Sequence, residues 1–246
     1  MSSNDNSFVL EPVGTLRSCF GQKFGTPRQP GLCPHATGHI EMHSPWDTPD
    51  AFRGLEAFTH VWLTVIFHQV PHDAPLRPLV RPPRLGGNQR VGVFACRSPF
   101  RPGRIGLSVV RHHGWDYLDG KFCLRLSGLD LIDGTPVLDI RPYLPWSDTP
   151  ADARAGWADA APDSYLEVAF SALAREQVTE LSHHHPDLEA LISEVLAQDP
   201  RPGYRRGQAD ERTYGMRLHD LEIHWRTTAK GCIVESVTSN KGVTPY

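Results

Sequence analysis

Residues 58–70 read FTHVWLTVIFHQV, the most apolar run in a chain of 246 residues. Val, Ile, Thr and aromatic side chains crowd it, and these fit a pleated, buried surface better than a helix. The run predicts a central strand. Working outward, 8–16, 91–96, 106–110, 122–127 and 136–140 have the same character, 38–43 alternates weakly, and Gly or Pro separates most of these runs. No long amphipathic helix alternates with them. That pattern disfavours a doubly wound sheet and predicts a closed or nearly closed barrel. The 21 glycines and 22 prolines argue against a helical bundle, because the chain must turn often.

The composition changes near residue 147. SDTPADARAGWADAAPDS (147–164) is rich in Ala and Asp and reads as a linker. Beyond it come a strand-like 165–170 and helical stretches over 172–183 and 186–198. In the second helix Leu188, Leu191, Ile192, Val195 and Leu196 share one face. Pro186 suits a first helical turn, and Pro200 and Pro202 end the helix. Residues 213–219, 222–227 and 233–237 predict three antiparallel strands. The expected fold is therefore mainly β: a non-Rossmann barrel over 1–146, a linker over 147–164 and a small α+β domain over 165–246.

Function classes narrow by absence. No run approaches the ~20 apolar residues of a membrane helix. The start MSSNDNSFVL lacks the basic and apolar segments of a signal peptide, so a cytoplasmic protein is expected. Five widely spaced cysteines form no CxxC pair, and no His/Cys/Asp spacing suggests a metal site. Reduced thiols in or near a core are the expectation. GxGxxG, GxxxxGK[ST], HExxH and GxSxG are all missing. A nucleotide-like cofactor would thus be held without a Rossmann turn.

The net charge is −3, yet residues 77–111 carry eight arginines and no acid, and the whole chain has only four lysines. A one-sided basic window is the footprint of a polyanion partner, whatever the net charge. Arginine adds bidentate phosphate contact and stacking on bases. Four Pro- and Gly-framed loops accompany the window: TPRQPGL (26–32), RPPRLGGN (81–88), RSPFRPGRIG (97–106) and LDLIDGTP (129–136), the last running on to DIRPY (139–143). Each alone is ordinary turn chemistry. Four in one β domain, three with Arg beside Pro, suit a stiff, preformed site. His68 and Gln69 close the apolar strand, at the rim of a pocket or as simple structural residues. HHH (183–185) is expected at an exposed helix junction. DPRP (199–202), followed by Tyr204, Arg205 and Arg206, is a second rigid basic patch.

Together PRQPGL, GLEAFTHVW, FHQ, RPPRLGGN, RVGVFACRSPFRPGRIG, LDLIDGTPVLDIRPYLP and VLAQDPRPGYR resemble the TrmO (TsaA-like, YaeB-like) family of tRNA methyltransferases. The likeness runs from about residue 7 to about 237. It departs at RPGRIG, where relatives are expected to read RPNPIG, and in the tail. The resemblance implies a barrel that binds S-adenosylmethionine, a homodimer, and methyl transfer to N6 of N6-threonylcarbamoyladenosine at position 37, in the anticodon stem-loop of threonine tRNA. It implies a cofactor site made of Pro27, Arg28, Gln29, His68, Gln69, Arg97, Leu107, Ser108, Gly128, Leu129, Asp130, Leu131 and Asp133.

The target nitrogen belongs to a urea-like unit, so its lone pair is delocalised and its N–H is more acidic. A carboxylate or phenol could take that proton; Asp139, Tyr143, Asp199 and Tyr204 are the candidates. Arg84, Arg90, Arg101, Arg104, Arg201 and Arg205 are the candidate tRNA contacts. The alternative is a non-catalytic RNA- or anion-binding barrel, which would have no use for the cofactor.

Overall fold

The computed structural model describes residues 9–71, 73–75, 77–86, 88–160, 166–205, 212–229 and 231–239. Arg206 and the ends of the chain lie outside these residues.

The apolar run becomes strand β3. Six strands, β1 (Gly14–Ser18), β2 (Thr37–Met42), β3 (His60–Ile66), β6 (Ile105–Leu118), β7 (Lys121–Ser127) and β8 (Pro136–Pro142), close into a barrel in the order β1-β2-β7-β6-β3-β8. Every pairing is antiparallel. In β3 the alternation is strict: Val61, Leu63 and Val65 are fully buried while His60, Trp62, Thr64 and Ile66 face out. A two-stranded ribbon, β4 (Leu79–Val80) and β5 (Val91–Gly92), lies on the long connection between β3 and β6. Here the expectation of a strand over 91–96 is corrected. After two residues the chain winds into a single 3₁₀ turn, Val93–Ala95, since its ladder partner β4 is itself only two residues long. In the other direction, β6 runs eight residues past the predicted 110, in a hairpin with β7.

A four-residue helix, α1 (Pro145–Asp148), leaves the barrel. The second half packs α2 (Ala172–Leu181) and α3 (Leu188–Ala197) on a sheet of β9 (Glu167–Phe170), β10 (Thr213–Leu218), β11 (Leu221–Thr227) and β12 (Gly231–Ser239), ordered β10-β11-β12-β9. Three strands pair antiparallel, as expected, and β9 joins β12 in parallel. Ser171 starts α2 by accepting the Ala174 amide at 3.0 Å. The predicted face of α3 is buried along its length: Leu188, Leu191, Ile192, Val195 and Leu196 are at most 2% exposed. Both halves share one continuous apolar cluster, with Leu16, Phe20 and Leu129 from the barrel side and Met216, Trp225 and Val234 from the other. Four of the five cysteines are buried and all are free. No described helix is long and apolar enough to cross a membrane.

Candidate functional site

Antiparallel neighbours in a barrel send alternate connections to opposite ends. The connections 19–36 (β1 to β2), 67–104 (β3 to β6) and 128–135 (β7 to β8) therefore emerge at one mouth. All three carry residues named from the sequence. Pro27, Arg28 and Gln29 sit on the first; His68, Gln69 and Arg97 on the second; Gly128, Leu129, Asp130, Leu131 and Asp133 on the third. Leu107 and Ser108 lie on β6 just inside its first turn. Residues more than a hundred positions apart thus share one rim, which is the meaning of the stiff loops.

Side-chain bonds fix this rim. Ser108 faces inward and donates to Asp130 Oδ1 at 2.6 Å. Arg97 Nη1 donates to Gln29 Oε1 at 2.7 Å, and the Gly31 amide donates to the Gly128 carbonyl at 2.9 Å. Gly128 has φ 74°, a left-handed value that a side chain rarely adopts. Asp130 is only half-buried by area, but protein crowds its carboxyl: burial pushes it up to about 6, against the opposing effects of the Ser108 bond and the Arg97 charge. Burial also holds the His68 imidazole below its ordinary value, with Asp133 pulling the other way.

Some named residues serve the fold. Leu129 and Leu131 are core side chains at 0% and 6% exposure. Asp133 is committed to its own turn: Oδ1 accepts the Ser18 amide at 2.9 Å and its own amide donates to Phe20 O at 2.8 Å. Leu107 points outward and is exposed.

The proton acceptors separate. Asp139 is held by Arg141 at 2.6 Å and by the Ile140 amide. Asp199 lies inside the protein. It is 1% exposed and grips the equally buried Arg201 through two bonds of 2.8 Å. Both candidates are thus committed to each other in the ligand-free chain. The Tyr204 side chain lies outside what is described. Tyr143 lines a cleft of about 320 Å³ together with Gln29, Pro30, Trp62, Arg97, Val109 and Asp148. Its hydroxyl meets Thr149 Oγ1 at 2.7 Å, and Trp62 Nε1 donates to Asp148 Oδ2 at 2.9 Å. Sequence reading missed Trp62 and Asp148. The alternation in 58–70 already placed Trp62 off the core face; nothing in the sequence signalled Asp148, which fell in the presumed linker.

Of the arginines, Arg90 is exposed, Arg101 donates to Cys96 O at 3.4 Å, and Arg84 donates to the Ala160 carbonyl. Arg104 has a left-handed φ of 49°, and Arg104 and Arg205 are half-buried. Among the described residues no three His, Cys, Asp or Glu side chains gather as a metal site would require. The mouth suits a small zwitterion: Asp130 is a carboxyl whose burial outweighs its partners, and Arg97 is an exposed cation within electrostatic reach of it.

Comparison with known proteins agrees along nearly the whole chain. The family model described as the tRNA-methyltransferase O N-terminal domain matches residues 15–149, and that of the TrmO C-terminal domain matches 163–240. A tRNA (adenine(37)-N6)-methyltransferase of Escherichia coli K12 is 47% identical over 226 residues, covering 92% of this chain and 96% of the relative. A Pseudomonas aeruginosa relative, provisionally named an S-adenosylmethionine-dependent methyltransferase, is 50% identical over 217 residues, 88% of this chain and 91% of its own. The crystal structure of TrmO from P. aeruginosa superimposes with a TM-score of 0.78 at 40% identity, covering 95% of this chain and 99% of that one.

Proposed function

The chain belongs to the tRNA-methyltransferase O family, and from that premise we propose that it moves a methyl group from S-adenosylmethionine to N6 of N6-threonylcarbamoyladenosine at position 37 of threonine tRNA. Membership makes it a tRNA methyltransferase acting on adenine N6. The observation that supports the cofactor in this reading is the convergence of three barrel connections on one mouth, with Asp130 within electrostatic reach of Arg97.

Bound S-adenosylmethionine supplies a methyl group already activated as a sulfonium, so the chain needs no acid to release it. Arg97 is suited to the amino-acid carboxylate and Asp130 to a cationic centre. Gln29, held by Arg97, keeps the first loop against the cofactor. Tyr143 is the candidate base that lines the same cleft as Gln29 and Arg97; as its phenolate it would take the N6 proton while the N–C bond forms and the methyl–sulfur bond breaks, its electron pair staying on the departing thioether sulfur. Alignment of nitrogen, methyl and sulfur is the main demand, and the stiff loops meet it. A homodimer, the division at 146 and 165, and a cytoplasmic setting complete the proposal.

The test is direct. Purified protein, S-adenosylmethionine and threonine tRNA carrying the threonylcarbamoyl base are incubated, and the tRNA nucleosides are resolved by mass spectrometry. One nucleoside should gain a single methyl at N6, and a chain that binds tRNA without taking up the cofactor would leave only the binding-module reading.

A further inference from the structure

Between α3 and β10 the chain makes an arch. Asp199 has φ 44°, and Pro200 and Pro202 fix two more φ angles. The Asp199 amide donates to Leu196 O at 3.0 Å, which ties the arch to the end of α3. Inside it Arg201 and Asp199 form the two-bond pair described above, both 1% exposed, and their charges reach Cys232 on β12. Burying such a pair is costly in solvation and is poor evidence of a stabilising device. Its effect here is geometric: it leaves the arch one shape.

The arch ends in the 3₁₀ turn Gly203–Arg205, where the Arg205 amide donates to Pro202 O at 2.8 Å. Gly203 lies on the backbone of a second 3₁₀ turn, Pro83–Leu85, in the arginine window. A β-carbon on Gly203 would stand 2.9 Å from Pro83 O and 3.4 Å from Gly86 Cα. Pro83 O already accepts the Gly86 amide at 3.1 Å, so an added carbon would push the whole turn rather than this atom alone. The same turn is held from its other side, where Arg84 donates to the Ala160 carbonyl. Only one of five guanidinium donors is used in that bond.

We infer that the arch 199–205 is a brace that sets the position of Arg84 for tRNA, with Gly203 as the positioning residue at the point of contact. This rests on the proposed tRNA methyl transfer and adds a role for the second half of the chain. Asp199 and Arg201, buried as a pair, shape the arch that meets the 83–86 turn. The turn in turn aims Arg84 at a phosphate.

The experiment uses full-length protein with Gly203→Ala, Gly203→Val, Arg84→Ala and the pair Gly203→Val/Arg84→Ala. Initial rates of tRNA methylation, calorimetry with S-adenosylmethionine and the salt dependence of tRNA binding are measured on each. Displacing the turn by a fraction of an ångström should raise the KM for tRNA by about tenfold in Gly203→Val. The smaller Gly203→Ala should move it the same way by less, which keeps the test alive if valine prevents folding. kcat and the cofactor Kd should stay within about twofold, and the log–log salt slope should flatten by about 1, one phosphate contact. The pair should be no worse than Gly203→Val alone, because Arg84 is already misplaced there. An unchanged KM, strictly additive effects in the pair, or a parallel loss of cofactor affinity would each overturn the brace. Wild-type protein that neither takes up S-adenosylmethionine nor methylates tRNA would sink the functional reading itself, before any variant is compared.

Discussion

Replacing Asp130 by Asn should make the ligand-free protein more stable and the enzyme worse. In the folded chain the Asp130 carboxyl titrates near 6 instead of the usual 3.8, chiefly through burial. At 1.36 kcal/mol per pH unit, ionising it costs the folded state about 3 kcal/mol more than the unfolded state. The sign follows from proton binding. A raised acid pKa means the native state holds its proton more tightly, so stability falls as pH rises from 3.8 and the loss is complete above 6. Asparagine never ionises, yet its amide oxygen can still accept from Ser108 Oγ, now 2.6 Å from the carboxylate. With the weaker neutral bond subtracted, Asp130→Asn should gain about 1–3 kcal/mol at pH 8, roughly 3–10 °C in Tm for a chain of this size, and almost nothing at pH 4. Thermal or urea melts of both proteins across pH 4–8, each with and without S-adenosylmethionine, provide the measurement. The cofactor should then protect the wild type and protect the variant much less, since its positive centre loses its counter-charge. A variant less stable at pH 8, or a difference that does not grow between pH 4 and 6, would refute the account of Asp130 as an uncompensated carboxyl.

His219 stacks on His185 with ring centres 4.5 Å apart, and burial, then the His185 charge, lowers it to about 4. As pH drops from 6.5 toward 4 the unfolded chain gains its proton first, so up to about 3 kcal/mol is lost there. His219→Asn, which tolerates the φ of 55°, should flatten this limb of the stability profile. Arg201→Met alone should cost about 3–5 kcal/mol by stranding Asp199, whereas Asp199→Asn with Arg201→Met should recover much of it in denaturant melts. Arg97→Ala should weaken cofactor binding by calorimetry more than tRNA binding. Arg101→Ala should do the reverse and reduce the salt slope; equal damage to both ligands together with a lower Tm would instead mark Arg101 as a structural residue.

Most strands, the arginine window and the helix faces were legible in the amino-acid order, because each rests on a local rule. Period-two alternation gave β3 its buried side, 3.6-residue spacing gave α3 its face, and the stiff Pro-Gly loops marked where a ligand could approach backbone. What failed locally failed for a tertiary reason. Residues 93–96 are apolar enough for a strand but the ladder beside them, β4, is only two residues long, and the predicted end of β6 ignored a hairpin that β7 sustains. DPRP reads as a rigid basic patch, because sequence alone cannot show that Arg201 turns back onto Asp199 two residues earlier and is buried. Only the closed barrel decided that residues 29, 97, 108, 128 and 130 share one mouth: strand order, not sequence distance, chooses which connections meet. It was likewise the packing of the two halves that placed Gly203 on the backbone of Pro83, a contact between residues 120 positions apart that no periodicity encodes.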